Sequence, residues 1–217
     1  GEHSRQNYKL WKDAGAQRYL LKIESSDEML YNFLHDGMLL SERLRCLEDL
    51  RDLGYQVGSG IMIGLKGQTI RNIAKDIVFF GKMNFDMVGI GPFIPHSATP
   101  LANEAHGDFQ MVLKAVALSR IVTKNSHIPA TTALGSLDRD YRIDALKVGA
   151  NVIMPNFTQR EYKKLYEIYP NKRCINESAG ACVNCYEGMA KASGKYIDYS
   201  IGHSLKQKNK IILGKPL

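Results

Sequence analysis

Five short apolar runs, each followed by a stretch of helical periodicity, constrain this chain more than any other feature. They are Arg18-Tyr19-Leu20-Leu21-Lys22-Ile23-Glu24, Val57 to Leu65, Met87 to Ile90, Pro129-Ala130-Thr131-Thr132-Ala133 and Asn151 to Met154. None alternates strictly between apolar and polar, which is the pattern of strands covered on both faces. An amphipathic helix from Asn7 to Ala14 precedes the first run. Ser41 reads as the cap of a helix carrying Leu40, Leu44, Leu47, Leu50 and Leu53 on one stripe and ending near Gly54. Thr69 caps the next, with Ile70, Ile73, Ile77 and Phe80 inward, and Asp108 caps one bearing Met111, Ala115, Leu118 and Val122. A further helix runs from about Asp138 to Val148. Thr158 and Glu161 form a capping box for a last one with Tyr162, Leu165, Tyr166 and Tyr169 on one side. This alternation predicts an α/β fold, a parallel sheet covered by helices.

The stretch FDMVGIGPFIPHSATPLANE, Phe85 to Glu104, organises the rest. Its apolar run breaks into Gly91-Pro92 and a loop stiffened by Pro92 and Pro95, and such loops sit at the ligand-binding carboxyl ends of strands. Polar residues close the other runs too: Glu24, Thr131, Thr132 and Asn156. That favours a (β/α)8 TIM-type barrel over an open sheet. Eight units take about 250 residues, so this chain is expected to hold an incomplete barrel, about the last five βα units. The first residue is Gly1, and a helix follows with no strand before it, so a cut edge is expected there. Exposed strand edges predict that the chain folds poorly alone. Residues 1–170 are assigned to the partial barrel and 171–217 to a carboxy-terminal segment with a cysteine motif and a basic tail.

At 44% hydrophobic and 24% charged residues the chain reads as globular. No apolar run reaches the ~20 residues that span a bilayer, and no signal peptide is present, so no membrane partner is expected and the location is cytoplasmic. The net charge of +7 suits small anionic substrates, but the positive residues are scattered apart from Lys206, Lys208, Lys210 and Lys215. Without an arginine-aromatic platform or a nucleic-acid motif, no nucleic acid is expected.

GSGIMIGLKGQT, Gly58 to Thr69, has neither the spacing of a dinucleotide fingerprint nor the lysine of a phosphate loop. Its glycines admit close approach of a ligand or of a neighbouring element. Glu24 at a strand end and Arg43 in the first turn of a helix could hold the amino and carboxylate groups of an amino-acid-like ligand, or simply pair with each other. Thr131 and Thr132 supply two hydroxyls, one of which must face into the barrel because strand side chains alternate. Met154, Tyr166 and Tyr169 suit a core as well as a ligand wall. Cys46 reads as a buried free thiol. Cys174, Cys182 and Cys185 form C-x7-C-x2-C, a spacing that in a reducing compartment favours metal over disulfide. Three thiolates leave one position for His203 or an outside ligand to complete.

RYLLKIES, GSGIMIGLKGQT, FDMVGIGPFIPHSATPLANE, IPATTAL and GANVIMPN together resemble the HydE family, radical S-adenosylmethionine (SAM) maturases of FeFe-hydrogenase. The likeness runs from Gly1 to the late cysteines, and biotin synthases are not similar over GPFIPHSATPLANE, its most specific part. It implies a barrel in which a four-iron four-sulfur cluster cleaves SAM. The adenosyl group then acts on a cysteine-derived iron carbonyl cyanide substrate on the way to the two-iron subcluster, alongside other hydrogenase maturases. By position, the resemblance implies SAM contacts at Glu24, Arg43 and Leu65, and a substrate cavity lined by Met87, Thr131, Thr132, Met154, Tyr166 and Tyr169. Arg18 and Lys22 match positions that bind carboxylates or anions. Lysine in place of the arginine found in some members keeps the charge and loses the bidentate fork. The late cysteines are similar to an accessory site, expected to hold a two-iron two-sulfur cluster. The family's C-x3-C-x2-C is absent from these 217 residues, so no catalytic residue is assigned and the chain alone is expected to be inactive. A methylornithine-synthase-like or biotin-synthase-like enzyme is the alternative activity, and a non-catalytic partial-barrel scaffold the alternative class.

Overall fold

The computed structural model describes residues 1–170, 172 and 183–206. Its strands are β1 (Arg18–Leu20), β2 (Gln56–Ile63), β3 (Met87–Pro92), β4 (Pro129–Ala130) and β5 (Val152–Ile153). The first three form a parallel sheet in chain order, and β4 pairs in parallel with β5. A backbone bridge links the two sheets: Val88 N–H donates to His127 O and His127 N–H to Asp86 O, each at 2.8 Å. Parallel neighbours need long crossovers, and helices supply them. α1 (Arg5–Asp13) precedes β1, and α2 (Glu28–Leu34) and α3 (Leu40–Asp52) lead to β2. α4 (Ile70–Met83), α5 (Phe109–Thr123) and α6 (Arg142–Val148) make the next three crossovers; α7 (Arg160–Lys163) and α8 (Val183–Ala192) follow β5.

Local chemistry sets several helix starts where the sequence places them. The Thr69 hydroxyl accepts from Asn72 N–H while the Asn72 side chain accepts from Thr69 N–H, a reciprocal cap for α4. Asp108 accepts from Gln110 and Met111 N–H, both at 3.1 Å, at the start of α5. Ser41, expected to cap α3, instead lies inside its first turn, because Leu40 is buried and carries the helix one residue further back. The expected tyrosine-faced helix reduces to the four residues of α7 and a 3-10 turn, Lys164–Tyr166. Tyr162, Leu165 and Tyr166 are exposed, and an apolar stripe with nothing to pack on does not sustain a helix.

Alternation along the strands sorts their side chains into two faces. Leu21, Ile23, Val57, Ile61, Ile63, Val88 and Ile90 join the core, where they meet Leu47 and Leu50 of α3, Ile77 and Phe80 of α4, and Val112 and Val116 of α5. Each such burial contributes about 1.5–3 kcal/mol. The opposite face carries Arg18, Leu20, Lys22 and Glu24 beside Gly58, Gly60, Met62, Met87, Gly89 and Gly91. Among the polar residues singled out above, Arg18 and Lys22 therefore share one glycine-floored face, with Glu24 beside Lys22.

Candidate active site

Glu24 ends the first strand segment in left-handed backbone, φ 58°. Ser25 N–H donates to Ile23 O at 2.7 Å, closing a γ-turn around Glu24, while Glu24 N–H donates across the sheet to Gly60 O at 3.0 Å. Holding a residue with a branched backbone carbon there costs about 1–3 kcal/mol. Glu24 Oε2 is buried and receives no hydrogen bond of good geometry, with Lys22 Nζ beside it at 3.1 Å. Arg43 does not pair with Glu24, as one sequence reading allowed. Its Nε donates to Glu2 Oε1 and its Nη1 to Lys22 O, both at 2.5 Å. Its guanidinium lies 5.7 Å from the centre of the Tyr31 ring, and Tyr31 OH donates to Glu2 Oε1 at 3.2 Å. Lys22 thus connects the two groups, by its carbonyl to Arg43 and by its ammonium to Glu24.

The carboxyl end of β2 builds the neighbouring wall. Leu65 is buried beyond it. Phe93 N–H donates to Ile63 O and Gly107 N–H to Phe93 O, each at 2.8 Å, so the 93–107 loop is tied down at both ends. A Cβ on Gly107 would stand 1.9 Å from Ile63 O, and one on Gly64 2.3 Å from Gly107 Cα. Within the sheet a Cβ on Gly60 would stand 2.0 Å from Gly89 O. Close packing against neighbouring elements accounts for these glycines. Behind Glu24, Asp76 of α4 is fully buried and accepts from Ser26 N–H at 2.6 Å and Ser26 O–H at 2.5 Å. Burial pushes its carboxyl up to about 6 despite those two donors.

The remaining predicted residues divide between places. β4 ends at Ala130 and not at Ala133, because Leu134 N–H donates to Thr131 O and a 3-10 turn, Thr132–Gly135, begins. Thr131 Oγ1 is buried, has no hydrogen bond among the described residues and lies against Gly91. Arg18 and Met87 open β1 and β3, at the end of the sheet opposite Glu24 and Leu65. They line a cavity of about 760 Å³ together with His127, Ile153, Tyr186 and Tyr199, and Arg18 Nη2 donates to Ile201 O at 2.8 Å. His127, whose ring nitrogens are both buried without a hydrogen bond, went unread in the sequence, where a lone histidine carries no pattern. Met154 and Tyr166 are exposed, and Tyr169, whose phenol burial pushes up to about 12, lies beside Ser136. Cys46 is buried and free as expected, and Cys185 is exposed on α8. Cys174 and Cys182 fall outside the described residues. Among the described residues no group of three or more His, Cys, Asp or Glu is placed to hold a metal ion, and no helix is long and apolar enough to cross a membrane.

No protein-family model matches the chain. Among the solved structures that resemble it are two at low sequence identity. They are methylornithine synthase PylB (TM-score 0.63, 22% identity, all of this chain and 57% of that one) and HydG, a maturase of FeFe-hydrogenase (0.71, 13%, 97% and 47%). These carry the fold, an α/β arrangement of parallel strands of the TIM-barrel type, and the relatives of the chain are radical SAM enzymes. Within that class the chain is a relative of HydE: it is 49% identical over 195 residues to the FeFe-hydrogenase maturase subunit HydE of Thermotoga maritima, covering 90% of this chain and 56% of that protein. It is 28% identical over 142 residues to 3-methylornithine synthase of Methanosarcina acetivorans (65% and 40% covered). Biotin synthase of Yersinia pestis is 28% identical over 155 residues (70% and 44% covered). The chain spans about half the length of the curated relatives it matches.

Proposed function

We propose that this chain supplies SAM contacts and part of the substrate cavity of a cytoplasmic HydE-like maturase. The enzyme would act by adenosyl-radical chemistry on a cysteine-derived iron carbonyl cyanide precursor of the two-iron subcluster. The observation that carries the reading is Glu24, a carboxylate set in strained backbone whose buried Oε2 is ion-paired with Lys22 Nζ at 3.1 Å and, among the described residues, takes no hydrogen bond of good geometry. Such a group fits the ammonium of the methionine end of SAM, as a charge-assisted acceptor. Arg43, ion-paired with Glu2, positions Lys22 through its carbonyl, and it is assigned to the SAM carboxylate, which would replace Glu2 as its partner. Leu65 lies against the same ligand. When bound, the four-iron four-sulfur cluster supplies the electron that cleaves SAM. These 217 residues contain no C-x3-C-x2-C to bind it, so no step on the cluster is assigned to them.

Thr131, with its unsatisfied hydroxyl, and Met87 on the glycine-floored face are assigned to the substrate cavity, with Thr132, Met154, Tyr166 and Tyr169 around its rim. Arg18 and Lys22 supply the charge for an anionic organometallic substrate. The carboxy-terminal segment 171–217 would carry the accessory two-iron two-sulfur site on Cys174, Cys182 and Cys185. Identity of 49% to HydE against 28% to the methylornithine and biotin synthases favours the maturase among these activities.

A chimera tests this, with the matching residues of Thermotoga maritima HydE replaced by this chain. It is expected to cleave SAM to 5′-deoxyadenosine and to support maturation of apo-hydrogenase. A folded, cluster-loaded chimera that cleaves SAM but supports no maturation would overturn the maturase assignment. One that neither binds nor cleaves SAM would overturn the whole reading.

A further inference from the structure

We infer that Asp76, on the far side of the sheet from the ligand face, is the positioning residue that fixes Glu24 in its binding orientation. The inference rests on Glu24 contacting SAM, as proposed above. Glu24 has left-handed backbone, and the γ-turn that holds it contains a single internal hydrogen bond, Ser25 N–H to Ile23 O. A residue other than glycine relaxes from that region unless its surroundings prevent it. On the upstream side the sheet does so, through Glu24 N–H to Gly60 O at 3.0 Å. On the downstream side the restraint is Asp76, whose Oδ1 takes both the N–H and the O–H of Ser26. Lys75, the preceding residue of α4, reaches Asp27 at 3.3 Å, so two consecutive residues of one helix clasp the turn after Glu24.

Asp76 stands where a carboxylate is costly. It is wholly buried, its Oδ2 has no hydrogen-bond partner among the described residues, and burial raises its carboxyl to about 6. An apolar residue would pack α4 against the sheet without those penalties. What an apolar residue cannot do is hold two donors of Ser26 at one point. A second acceptor of the same shape can, and asparagine keeps Oδ1.

The test has two readouts. Amide hydrogen exchange on the HydE chimera carrying this chain follows Ser25, Ser26 and Asp27 without any ligand. Asp76→Ala is expected to speed exchange there at least tenfold and Asp76→Asn by less than threefold, with core amides of β2 and β3 unchanged. SAM affinity of the cluster-loaded protein carrying this chain is then measured for Glu24→Gln, Asp76→Ala, Asp76→Asn and the double variant Glu24→Gln/Asp76→Ala. Asp76→Ala is expected to weaken SAM binding about tenfold in the parent and less than twofold in the Glu24→Gln background, with Asp76→Asn near the parent. An equal loss in both backgrounds would show a merely structural role and overturn the inference. So would unchanged affinity in Asp76→Ala while Glu24→Gln loses binding. If Asp76→Ala does not fold, Ser26→Ala removes one of the two donors and is expected to give the same pattern at smaller size; parent-like exchange and affinity there overturn the inference. Unchanged affinity in Glu24→Gln would instead overturn the SAM role of Glu24, leaving the exchange readout to decide whether Asp76 holds the turn.

Discussion

Gly60 shows how much a single missing atom decides. A Cβ there would stand 2.0 Å from a carbonyl oxygen of the adjacent strand, too close for any rotamer to relieve. Gly60→Ala is therefore expected to lower stability by at least about 1–3 kcal/mol, the ordinary penalty of overpacking, read by urea unfolding of the HydE chimera carrying this chain. A parent-like midpoint would mean that β2 and β3 are further apart than the structure places them. Asp76 makes a second prediction at this scale. Its folded carboxyl, near 6 against an ordinary 3.8, holds a proton more tightly than the unfolded chain does. Its contribution is thus greatest below pH 4 and is lost as pH rises through 6. Lys75 pulls against this shift and Asp27 adds to it, while Asp27 itself, lowered by the Leu30 amide and by Lys75, runs the other way with pH. The stability of the parent minus that of Asp76→Asn should accordingly fall by about 2 kcal/mol between pH 4 and pH 7. A flat difference would remove the buried ionisation. Glu24 and Arg43 were legible in the sequence as polar residues at element ends. Their partners were not: Glu2 reaches Arg43 across 41 residues, and nothing in the local pattern of α4 marks Asp76 as facing Ser26.

Among the elements, β2, β3, α4 and α5 followed from sequence because their signals agree: apolar runs, a capping Thr69, a capping Asp108 and an inward stripe. β4 is shorter than its apolar, β-branched pattern suggested, since the Thr131 carbonyl is drawn into a turn that no strand propensity describes. α7 failed because its tyrosines meet solvent. The cap on α4 can be checked directly. Thr69→Ala removes the acceptor for Asn72 N–H and should cost about 0.5–2 kcal/mol, seen as a lower thermal midpoint without loss of SAM affinity. Lost affinity at unchanged stability would instead implicate the loop before α4 in ligand contact. α8 bears Cys185, and the cysteine segment around it is expected to hold an accessory iron–sulfur cluster. Anaerobic reconstitution followed by Mössbauer spectroscopy should show iron lost in the triple alanine variant of Cys174, Cys182 and Cys185, with SAM cleavage largely kept. One equivalent of zinc and no iron at these residues would contradict it.

At the scale of the molecule, parallel strands run in chain order with one helix-packed face and one glycine-floored face, and both ends of the latter carry polar groups. Glu24 and Leu65 mark the carboxyl end; Arg18, Met87 and His127 mark the other. The central claim concerns the carboxyl end, and SAM titration tests it most directly. In the HydE chimera carrying this chain, loaded with its cluster, Glu24→Gln and Arg43→Ala should each weaken SAM binding roughly tenfold or more, the worth of a charge-assisted contact, while the fold stays intact. SAM affinity unchanged in both variants would contradict the account.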